Sequence, residues 1–425
     1  MYRELREQAE GCREDLTAFT QLLVRTPSFS FKEETAAGIV QDLLEELHYD
    51  LVFRDGVGNV IGFLTGSEEG PTILLNSHMD TRRPEEERID TEGPFSGRID
   101  RGRMRGLGVA GCKGGLAAQV FAGHILDKCF LPLYGTIVVA ATVAQEEGNG
   151  AGIRHLLEET LPKLGVTPEL AILGEPTTLR VCNGHDGWAD ADVRIACRDA
   201  AVVRRATGLI EDALTGASGH PSWKYKKSSL DVSEPAYREY DGSHEAVLHV
   251  RCRVKSGEAV ANCVGIVKRL ALAASRPAGD VQVEVQVHTE RQRFYTGKTV
   301  EVLCWNNPWS SDPSAPLFHR ALDALAAAGW RDAAARPFGL NNLRLGTAGS
   351  LLAESYHIPT LCFGPGDENR AYTPEESVDV EKLVDAVFGT AVLIHGAIGT
   401  PHSLVWPTHR APRDTGRVST SGDAR

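Results

Sequence analysis

The first part of the chain alternates helical and strand patterns. Residues 8–25 and 33–47 carry leucine and other apolar residues at helical spacing, with charged residues between them. Short apolar runs typical of strands occur at residues 51–53, 60–64, 72–75, 136–143 and 170–173, and residues 114–126 are again helical in pattern. Because strands alternate with helices, the pattern predicts an α/β fold with a mostly parallel sheet.

A different pattern begins near residue 187. Residues 188–196, 246–254 and 282–287 alternate polar and apolar positions, as half-exposed strands do, and residues 258–275 have a helical pattern. The change predicts a small α+β domain inserted into the larger one. The predicted divisions are residues 1–186 and 298–398 for the larger domain, 187–297 for the inserted domain, and 399–425 for a disordered tail rich in Pro, Arg, Thr and Ser.

Polar residues follow three of the apolar strands. His78 and Asp80 end the strand that contains residues 72–75, Glu146 and Glu147 follow residues 136–143, and Glu175 follows residues 170–173. In parallel sheets, ligands bind beyond the carboxyl ends of the strands. A His-x-Asp sequence lets the imidazole bind a metal while the carboxylate orients it, and paired glutamates offer a general base beside a metal ligand. Each signal alone is unspecific, since capped strand ends and solvated acidic pairs look the same.

The combination and order of these segments is more specific. The chain resembles the acetylornithine deacetylase / succinyl-diaminopimelate desuccinylase family of zinc peptidases and aminoacylases from about residue 15 to about residue 395. The segments that carry the resemblance are Asn76 to Thr81, Gly93 to Gly97, Lys113 to Ala118, Gln145 to Gly148, Gly174 to Thr177, Ile358 to Thr360 and Phe363 to Gly366. The resemblance implies a zinc-peptidase α/β domain with an inserted lid, a small-molecule substrate and a homodimer formed through the lid.

The resemblance also implies roles for five residues. His78 and Glu175 match ligands of one zinc ion, and Glu147 matches a ligand of a second. Asp80 matches the carboxylate behind the histidine, and Glu146 matches the general base that activates the attacking water. Asp80 and Glu146 are therefore the predicted catalytic residues.

Two ligand positions of the family pattern hold other residues. The bridging aspartate lies two residues before the Lys-Gly pair, and that position is Gly111; the last histidine position is Tyr372. The position of a lid histidine of the family is matched by Ala201. Catalytic zinc usually has three protein ligands, so the surviving set predicts at most one weakly held zinc ion, or none.

Neighbouring residues offer partial replacements. Cys112 and His185 are candidate substitute ligands, although a packed thiol and a polar hinge residue are the simpler interpretations. Tyr372 can donate a hydrogen bond to a substrate carbonyl as a neutral phenol. Without a metal, like-charge repulsion among the clustered carboxylates is expected to raise at least one of their pKa values.

The composition indicates which binding partners and which cellular location to expect. The chain has 425 residues, a formal net charge of -12 and a sequence pI near 5.7. An acidic surface disfavours nucleic acid and anionic membranes as partners. The charged N-terminus has no apolar core of a secretory signal, and no apolar stretch reaches the length of a spanning helix. The nine cysteines form no CxxC pair, which is typical of reduced thiols and predicts a cytoplasmic protein.

Three functional hypotheses remain open on the sequence alone. The first is an enzyme acting on the amide bond of an N-acyl amino acid or similar small molecule, by hydrolysis, acyl transfer or amide formation, with an incomplete two-zinc site. The second is a non-catalytic descendant that binds a small acyl amino acid or a partner subunit. The third, an intact two-zinc hydrolase with an unusual ligand set, is least favoured because too few ligands survive.

Overall fold

The computed structural model describes residues 2–84, 93–129, 131–217, 230–255, 258–312, 316–330 and 342–399. The predicted disordered tail lies outside the described residues, apart from Gly399. The helices are α1 (Tyr2–Gly11), α2 (Arg13–Arg25), α3 (Glu34–Glu46), α4 (Gly114–Lys128), α5 (Ala151–His155), α6 (Leu161–Lys163), α7 (Ala200–Ala217), α8 (Val260–Ser275), α9 (Pro316–Ala327) and α10 (Val380–Ile398). Three π-helical segments cover Val109–Lys113, Leu156–Thr160 and Ser350–Ser355, and a 3₁₀ turn covers Arg276–Ala278.

Twenty strands connect these helices in the described residues. They are β1 (Leu51–Arg54), β2 (Val60–Thr65), β3 (Glu68–His78), β4 (Ile99–Asp100), β5 (Arg103–Arg105), β6 (Tyr134–Thr142), β7 (Leu170–Leu173), β8 (Gly184–His185), β9 (Gly187–Cys197), β10 (Leu230–Val232), β11 (Ala236–Tyr240), β12 (Ser243–Val254), β13 (Gln282–Val287), β14 (Thr289–Arg293), β15 (Thr299–Leu303), β16 (Trp305–Asn306), β17 (Trp309–Ser310), β18 (Asn342–Leu343), β19 (Thr360–Cys362) and β20 (Ser377–Asp379).

A six-stranded mixed sheet forms the centre of the larger layer, in the order β1-β2-β6-β3-β7-β19. The β6–β3, β3–β7 and β7–β19 pairs are parallel, whereas β1–β2 and β2–β6 are antiparallel. The α/β class is confirmed, and the parallel pairs are those that carry the predicted site. The β1–β2 pair is antiparallel because a tight turn around Gly58, rather than a crossover helix, joins the two strands.

Helices cover both faces of this sheet, which explains why its central strands are apolar throughout. Ile73 and Leu75 of β3 pack in one core with α4 and α10. Leu74 lies on the opposite face, in a second core with Ile153 and Leu156. All three strand residues are fully buried. The sheet is therefore held rigidly between two layers, and its strand ends are fixed in position.

The second large sheet corresponds to the predicted lid. Its order is β10-β12-β9-β13, all antiparallel, with β11 beside β12. Helices α7 and α8 pack on one face, where Ala189, Val193 and Val250 are part of the lid core. The other face is polar. Alternation of this kind is the pattern from which the strands were predicted.

A hairpin of β14 and β15 extends from the lid to the larger layer. The hydroxyl of Tyr295 donates to the carbonyl of Gly58 at 2.9 Å, and Phe294 packs against Phe31 with ring centroids 5.3 Å apart. The predicted boundary at residue 298 falls inside this hairpin. The division of the chain at residues 187 and 298 remains a prediction.

Two further observations concern the whole of the described chain. Among the described residues, none of the helices is long and apolar enough to cross a membrane. The nine cysteines are all free.

Candidate active site

Three parallel strands deliver the candidate residues to one edge of the central sheet. His78 is the last residue of β3, Glu175 lies two residues beyond β7, and Glu146 lies four residues beyond β6. After β6 the chain turns at Ala144, which is buried and has a left-handed φ of 53°. This turn directs the backbone of the following residues toward the end of β3.

Asp80 is the centre of the hydrogen bonds at this edge. Its carboxylate accepts hydrogen bonds from the Ser30 hydroxyl at 2.6 Å and from the backbone N–H groups of Gln145 and Glu146 at 3.1 and 2.8 Å. Nδ1 of His78 lies 3.1 Å from Asp80 Oδ1 and 3.0 Å from its carbonyl oxygen. Asp80 therefore orients the imidazole, as its predicted position behind the histidine requires.

The surroundings of His78 and Asp80 shift the pKa values of both side chains. Burial would raise the pKa of Asp80, but the hydrogen bond and positive charge of His78 lower it below its usual value. Burial would lower the pKa of His78, but the sulfur of Cys112 and the Asp80 carboxylate raise it well above its usual value. Asp80 is thus held in its ionised form.

His78, Cys112 and Glu175 form a buried group of possible metal ligands. Their donor atoms all lie within 4.8 Å of one another, and the backbone N–H of His78 donates to Cys112 Sγ at 3.2 Å. Burial raises the pKa of the Cys112 thiol. Burial also raises the pKa of Glu175 to about 7; His78 opposes this shift, and the nearby Glu146 adds to it. The expected rise in a carboxyl pKa is found, with burial as its larger cause.

The π-helical segment Val109–Lys113 explains why Cys112 reaches this group. The segment follows Gly108, whose φ of 86° favours glycine. A π-helical turn contains more residues than an α-helical turn and so changes which side chain faces the sheet. A Cβ at position 111 would lie 3.7 Å from Glu376 Oε1 and 3.8 Å from a ring carbon of Tyr372, whereas the sulfur of Cys112 lies beside His78.

Glu376 holds both substituted positions in place. Its Oε1 accepts hydrogen bonds from the backbone N–H groups of Ala110 and Gly111 at 2.8 and 2.9 Å, and its Oε2 accepts one from Tyr372 N at 3.0 Å. Burial raises the pKa of Glu376, although these hydrogen bonds oppose the shift. One carboxyl group therefore fixes the relative positions of the two loops.

Glu146 receives two donors from side chains. The hydroxyl of Tyr372 donates to its Oε1, and Arg82 Nε donates to its Oε2 at 2.8 Å. The guanidinium carbon of Arg82 lies 4.8 Å from the ring centroid of Tyr372, a cation–π contact. His78 Nε2 is 3.8 Å from Glu146 Oε1. The side chain of Glu146 is only 5 % exposed, and burial raises the pKa of Tyr372 well above its usual value.

A cleft of about 910 Å³ opens over this edge, between the strand ends and the polar face of the lid. Five arginines line it, together with acidic residues of both sheets: Arg82, Arg83, Arg251, Arg253 and Arg344. Arg82 pairs with Glu146, and Arg251 pairs with Asp190 at 2.7 Å. A second cavity of about 680 Å³ lies at the amino ends of the strands, away from these residues.

Comparison with known sequences decides the family. A sequence model of the peptidase family M20/M25/M40 matches residues 74–394, well over half of the chain, and the match includes every strand end described above. The chain belongs to peptidase family M20/M25/M40.

Relatives within the M20/M25/M40 family agree with this assignment. The uncharacterized protein YgeY of Escherichia coli strain K12 is 24% identical over 398 residues, which are 90% of this chain and 94% of YgeY. A succinyl-diaminopimelate desuccinylase of Methylorubrum extorquens is 26% identical over 258 residues, 55% of this chain and 67% of that enzyme. The solved dipeptidase Dug1p of Saccharomyces cerevisiae superposes with a TM-score of 0.70 at 11% identity, over 94% of this chain and 99% of that one.

The comparisons support the fold and the hydrolase family but not a subfamily. Membership of a hydrolase and metallopeptidase family, which the resemblance implied, is therefore confirmed. Membership of the acetylornithine deacetylase / succinyl-diaminopimelate desuccinylase group in particular remains a prediction at these identities.

A predicted ligand, Glu147, and a candidate substitute ligand, His185, lie apart from the buried group in this M20/M25/M40 chain. Glu147 is exposed at the wall of the cleft, and its backbone N–H donates to Ser30 Oγ at 3.0 Å. His185 is fully buried, and its ring nitrogens contact the carbonyl of Asp186 and the backbone of Thr347. Burial lowers the pKa of His185 to about 4. A ligand role for Glu147 remains a prediction.

Several residues of the site were not singled out in the sequence. Ser30 and Glu33 precede the first strand, Arg82 follows the His-x-Asp segment, and Glu376 lies four residues after Tyr372. A Ser or an Arg near a strand end gives no distinctive sequence signal. Glu376 was recognisable only as an acidic residue within the segment around Tyr372.

Proposed function

We propose that the protein hydrolyses the amide bond of an N-acyl amino acid or a dipeptide-like small molecule, with one metal ion held by His78, Cys112 and Glu175. The observation that supports this is the convergence of these three donor groups within 4.8 Å, beside Glu146. Three protein ligands are usual for catalytic zinc, which accepts nitrogen, sulfur and oxygen donors. A zinc ion bound there would supply Lewis acidity that polarises the substrate carbonyl.

The residues fit one metal better than two. Gly111 offers no ligand atom, the Tyr372 hydroxyl donates to Glu146, and Glu147 points to an exposed position. In this proposal, Cys112 takes over the function of the missing aspartate from the next position in the chain.

Glu146 is proposed as the general base. It lies at the cleft floor, where it can accept a proton from the attacking water and pass it to the leaving nitrogen. The oxygen of water bonds to the carbonyl carbon, the carbon–nitrogen bond breaks, and the products are a carboxylic acid and an amine. Asp80 holds His78 in orientation throughout.

Tyr372 and Arg82 surround the same carboxylate and are proposed to stabilise charge. The raised pKa of Tyr372 keeps the phenol protonated at neutral pH, so its hydroxyl can donate to the oxygen of the scissile carbonyl as negative charge develops there. Arg82 provides a fixed positive charge at the side of Glu146.

Three arginines of the cleft, for which the described residues provide no ion-pair partner, favour an anionic substrate. Arg83, Arg253 and Arg344 line the cleft and form no ion pair with any residue that the structure describes. The guanidinium group binds carboxylates in a fixed geometry. A substrate with a free carboxylate, such as an N-acyl amino acid, meets this requirement.

The proposal also covers the oligomeric state of the protein and its location in the cell. We infer a homodimer formed through the lid, whose strand β13 ends its sheet with alternating exposed and half-buried residues. Light scattering would test the dimer. A cytoplasmic location is proposed from the free cysteines.

One observation favours a second candidate, a binding protein without catalysis. Tyr372 hydrogen-bonds to Glu146 and so engages the proposed base. If this bond persists when a ligand binds, the cleft would hold an acyl amino acid without cleaving it.

The deciding experiment measures metal content and hydrolysis together. The purified chain, loaded with zinc, is incubated with a panel of N-acetyl, N-succinyl and N-formyl amino acids and dipeptides, and amine release is recorded. The proposal expects release that requires metal and is lost in Glu146→Gln. Binding of panel members without any release, detected by calorimetry, would instead support the binding protein.

A further inference from the structure

The polar face of the lid carries a second group of metal-ligand side chains, outside the strand ends of the central sheet. Asp192 of β9 pairs in register with His249 of β12, and His288 follows β13. Val193, which follows Asp192 on β9, and Val250, which follows His249 on β12, lie in the lid core on the opposite face. Asp192, His249 and His288 therefore share the face that looks toward the cleft.

The three side chains converge closely. Nδ1 of His249 lies 2.6 Å from Asp192 Oδ1, and Nδ1 of His288 lies 2.9 Å from Asp192 Oδ2. The two imidazole rings are 5.1 Å apart between centroids and nearly perpendicular, at 81°. Their donor atoms and the carboxylate oxygen all lie within 4.8 Å of one another. Asp192 is almost fully buried, with 6 % of its side chain exposed.

The hydrogen bonds of His288 require a cation. Its Nδ1 faces Asp192, and its Nε2 lies 3.3 Å from Glu290 Oε1. A neutral imidazole has one N–H group and can donate to only one of these carboxylates. The other nitrogen would then present its lone pair to a carboxylate oxygen. Either a second proton on the ring or a metal ion at Nδ1 removes this conflict.

We propose that Asp192, His249 and His288 bind a divalent transition-metal ion of the zinc class. Two imidazole nitrogens and one carboxylate oxygen are donors that suit zinc, whereas calcium and magnesium prefer oxygen alone. Glu290 accepts from Nε2–H of His288 and leaves Nδ1 free for the metal. This carboxylate–histidine–metal arrangement is common behind metal-bound histidines. The backbone of His288 is fixed by hydrogen bonds to Asp190 and Cys304.

The ion would join three separate segments of the lid. It would link β9, β12 and the turn between β13 and β14, next to Asp190 and Glu290 of the cleft wall. Its function would be to hold the polar lid face in one arrangement over the cleft. This inference is independent of the function proposed above, because none of its ligands belongs to the strand-end site.

Cobalt(II) titration of the full chain distinguishes two proposed metal sites. The strand-end site consists of His78, Cys112 and Glu175, and the lid site consists of Asp192, His249 and His288. The strand-end site contains a thiol, so cobalt bound there gives sulfur-to-cobalt charge-transfer absorption, whereas a site of two histidines and an aspartate gives only visible d–d bands. The background variant Cys112→Ser removes the charge-transfer signal. In that background we expect d–d bands of a four-coordinate ion that disappear in His249→Ala and in Asp192→Asn, together with one equivalent of metal per chain.

His244→Ala is the matched control, since His244 lies on the same strand but contacts Glu239 instead. It should keep the d–d bands. Thermal unfolding with and without zinc gives a second readout, in which the control gains stability and His249→Ala does not. If His249→Ala and Asp192→Asn fold and bind as much cobalt as the background chain, with unchanged spectra, the lid site does not exist and His288 is held by a proton. Absence of charge-transfer absorption in the parent chain, where Cys112 is present, together with retained d–d bands would count against the strand-end site alone.

Discussion

The hydroxyl of Tyr372 donates a hydrogen bond to Oε1 of Glu146. The residue at a substituted ligand position therefore contacts the predicted general base directly. Arg82 contacts the other oxygen of the same carboxylate at 2.8 Å. A neutral donor and a fixed cation thus surround Glu146, and the neutral donor stands where the family pattern has a metal-binding histidine.

The first prediction concerns Cys112 as a ligand. Mutation of a residue that only hydrogen-bonds to a metal ligand costs about 10- to 100-fold in metal affinity. Cys112 is a proposed ligand itself, so Cys112→Ser should weaken zinc binding at the strand-end site by more than that. Competition with a chromophoric chelator measures this affinity. Cys129→Ser is the control, because that thiol lies beyond the far end of α4, about 22 Å along the helix axis. Equal affinities in the two variants would remove Cys112 from the ligand set.

Glu146 is predicted to dominate any hydrolysis. Glu146→Gln keeps the shape of the side chain and removes its proton exchange, so kcat should fall by about 10²- to 10⁴-fold. Glu147→Gln is the neighbouring control and should cost much less, because Glu147 is exposed. Steady-state kinetics on the true substrate compares the two. Undiminished kcat in Glu146→Gln would show that another residue is the base.

The third prediction tests restoration of the two-metal set. Gly111→Asp alone should destabilise the chain, because the new carboxylate would approach Glu376, whose pKa is already raised by burial. With Tyr372→His added, zinc should raise the melting temperature more than in the parent, since a structural zinc contributes about 10 kcal/mol to a formed site. Calorimetry with titrated zinc measures the difference. A folded double variant that responds to zinc no more than the parent would mean that the pocket has diverged beyond its ligands.

Glu33 should give a distinct pH dependence of stability. Burial, and next the charge of Asp80, raise the pKa of Glu33 from 4.5 to about 8. Between these values the folded state binds more protons than the unfolded state, so the free energy of unfolding contributed by this group falls as pH rises from about 4.5 to about 8.

Chemical denaturation at several pH values in this window measures the effect. In Glu33→Gln the amide oxygen can still accept the hydrogen bonds from Phe31 N and Ala144 N, but the titration is gone. Stability should therefore fall less steeply with pH in the variant, by up to a few kcal/mol across the window. Parallel curves for variant and parent would show that Glu33 is already ionised at low pH.

The sequence predicted the strand ends well and the details between them poorly. His78, Asp80, Glu146 and Glu175 follow regular apolar strands, and parallel strands bring their ends together, so their convergence could be foreseen. The sequence offered Cys112 only as one of two candidate substitute ligands. The π-helical turn that contains it changes which residue faces the sheet, and such a turn has no sequence signature.

The sequence also did not predict which of the adjacent residues Glu146 and Glu147 is buried. Neighbouring residues after a strand point in different directions, and the turn at Ala144 decides which one is buried. A left-handed alanine has no signal in the sequence, because alanine rarely adopts that conformation. The lid strands were predictable from their alternation, but the contact between His288 and Asp192 depends on the pairing of strands distant in sequence.

The hairpin of β14 and β15 has a mechanical consequence. Phe294 packs on Phe31, and Tyr295 is bonded to Gly58, where any side chain would collide with the tyrosine ring. The hairpin therefore attaches the lid to the larger layer through side-chain contacts, in addition to the two places where the backbone passes between them. Phe31 adjoins Ser30, which holds Asp80. A movement of the lid that opened the cleft would have to break the contacts of the hairpin with the larger layer. Those contacts adjoin the segment that positions the buried Asp80.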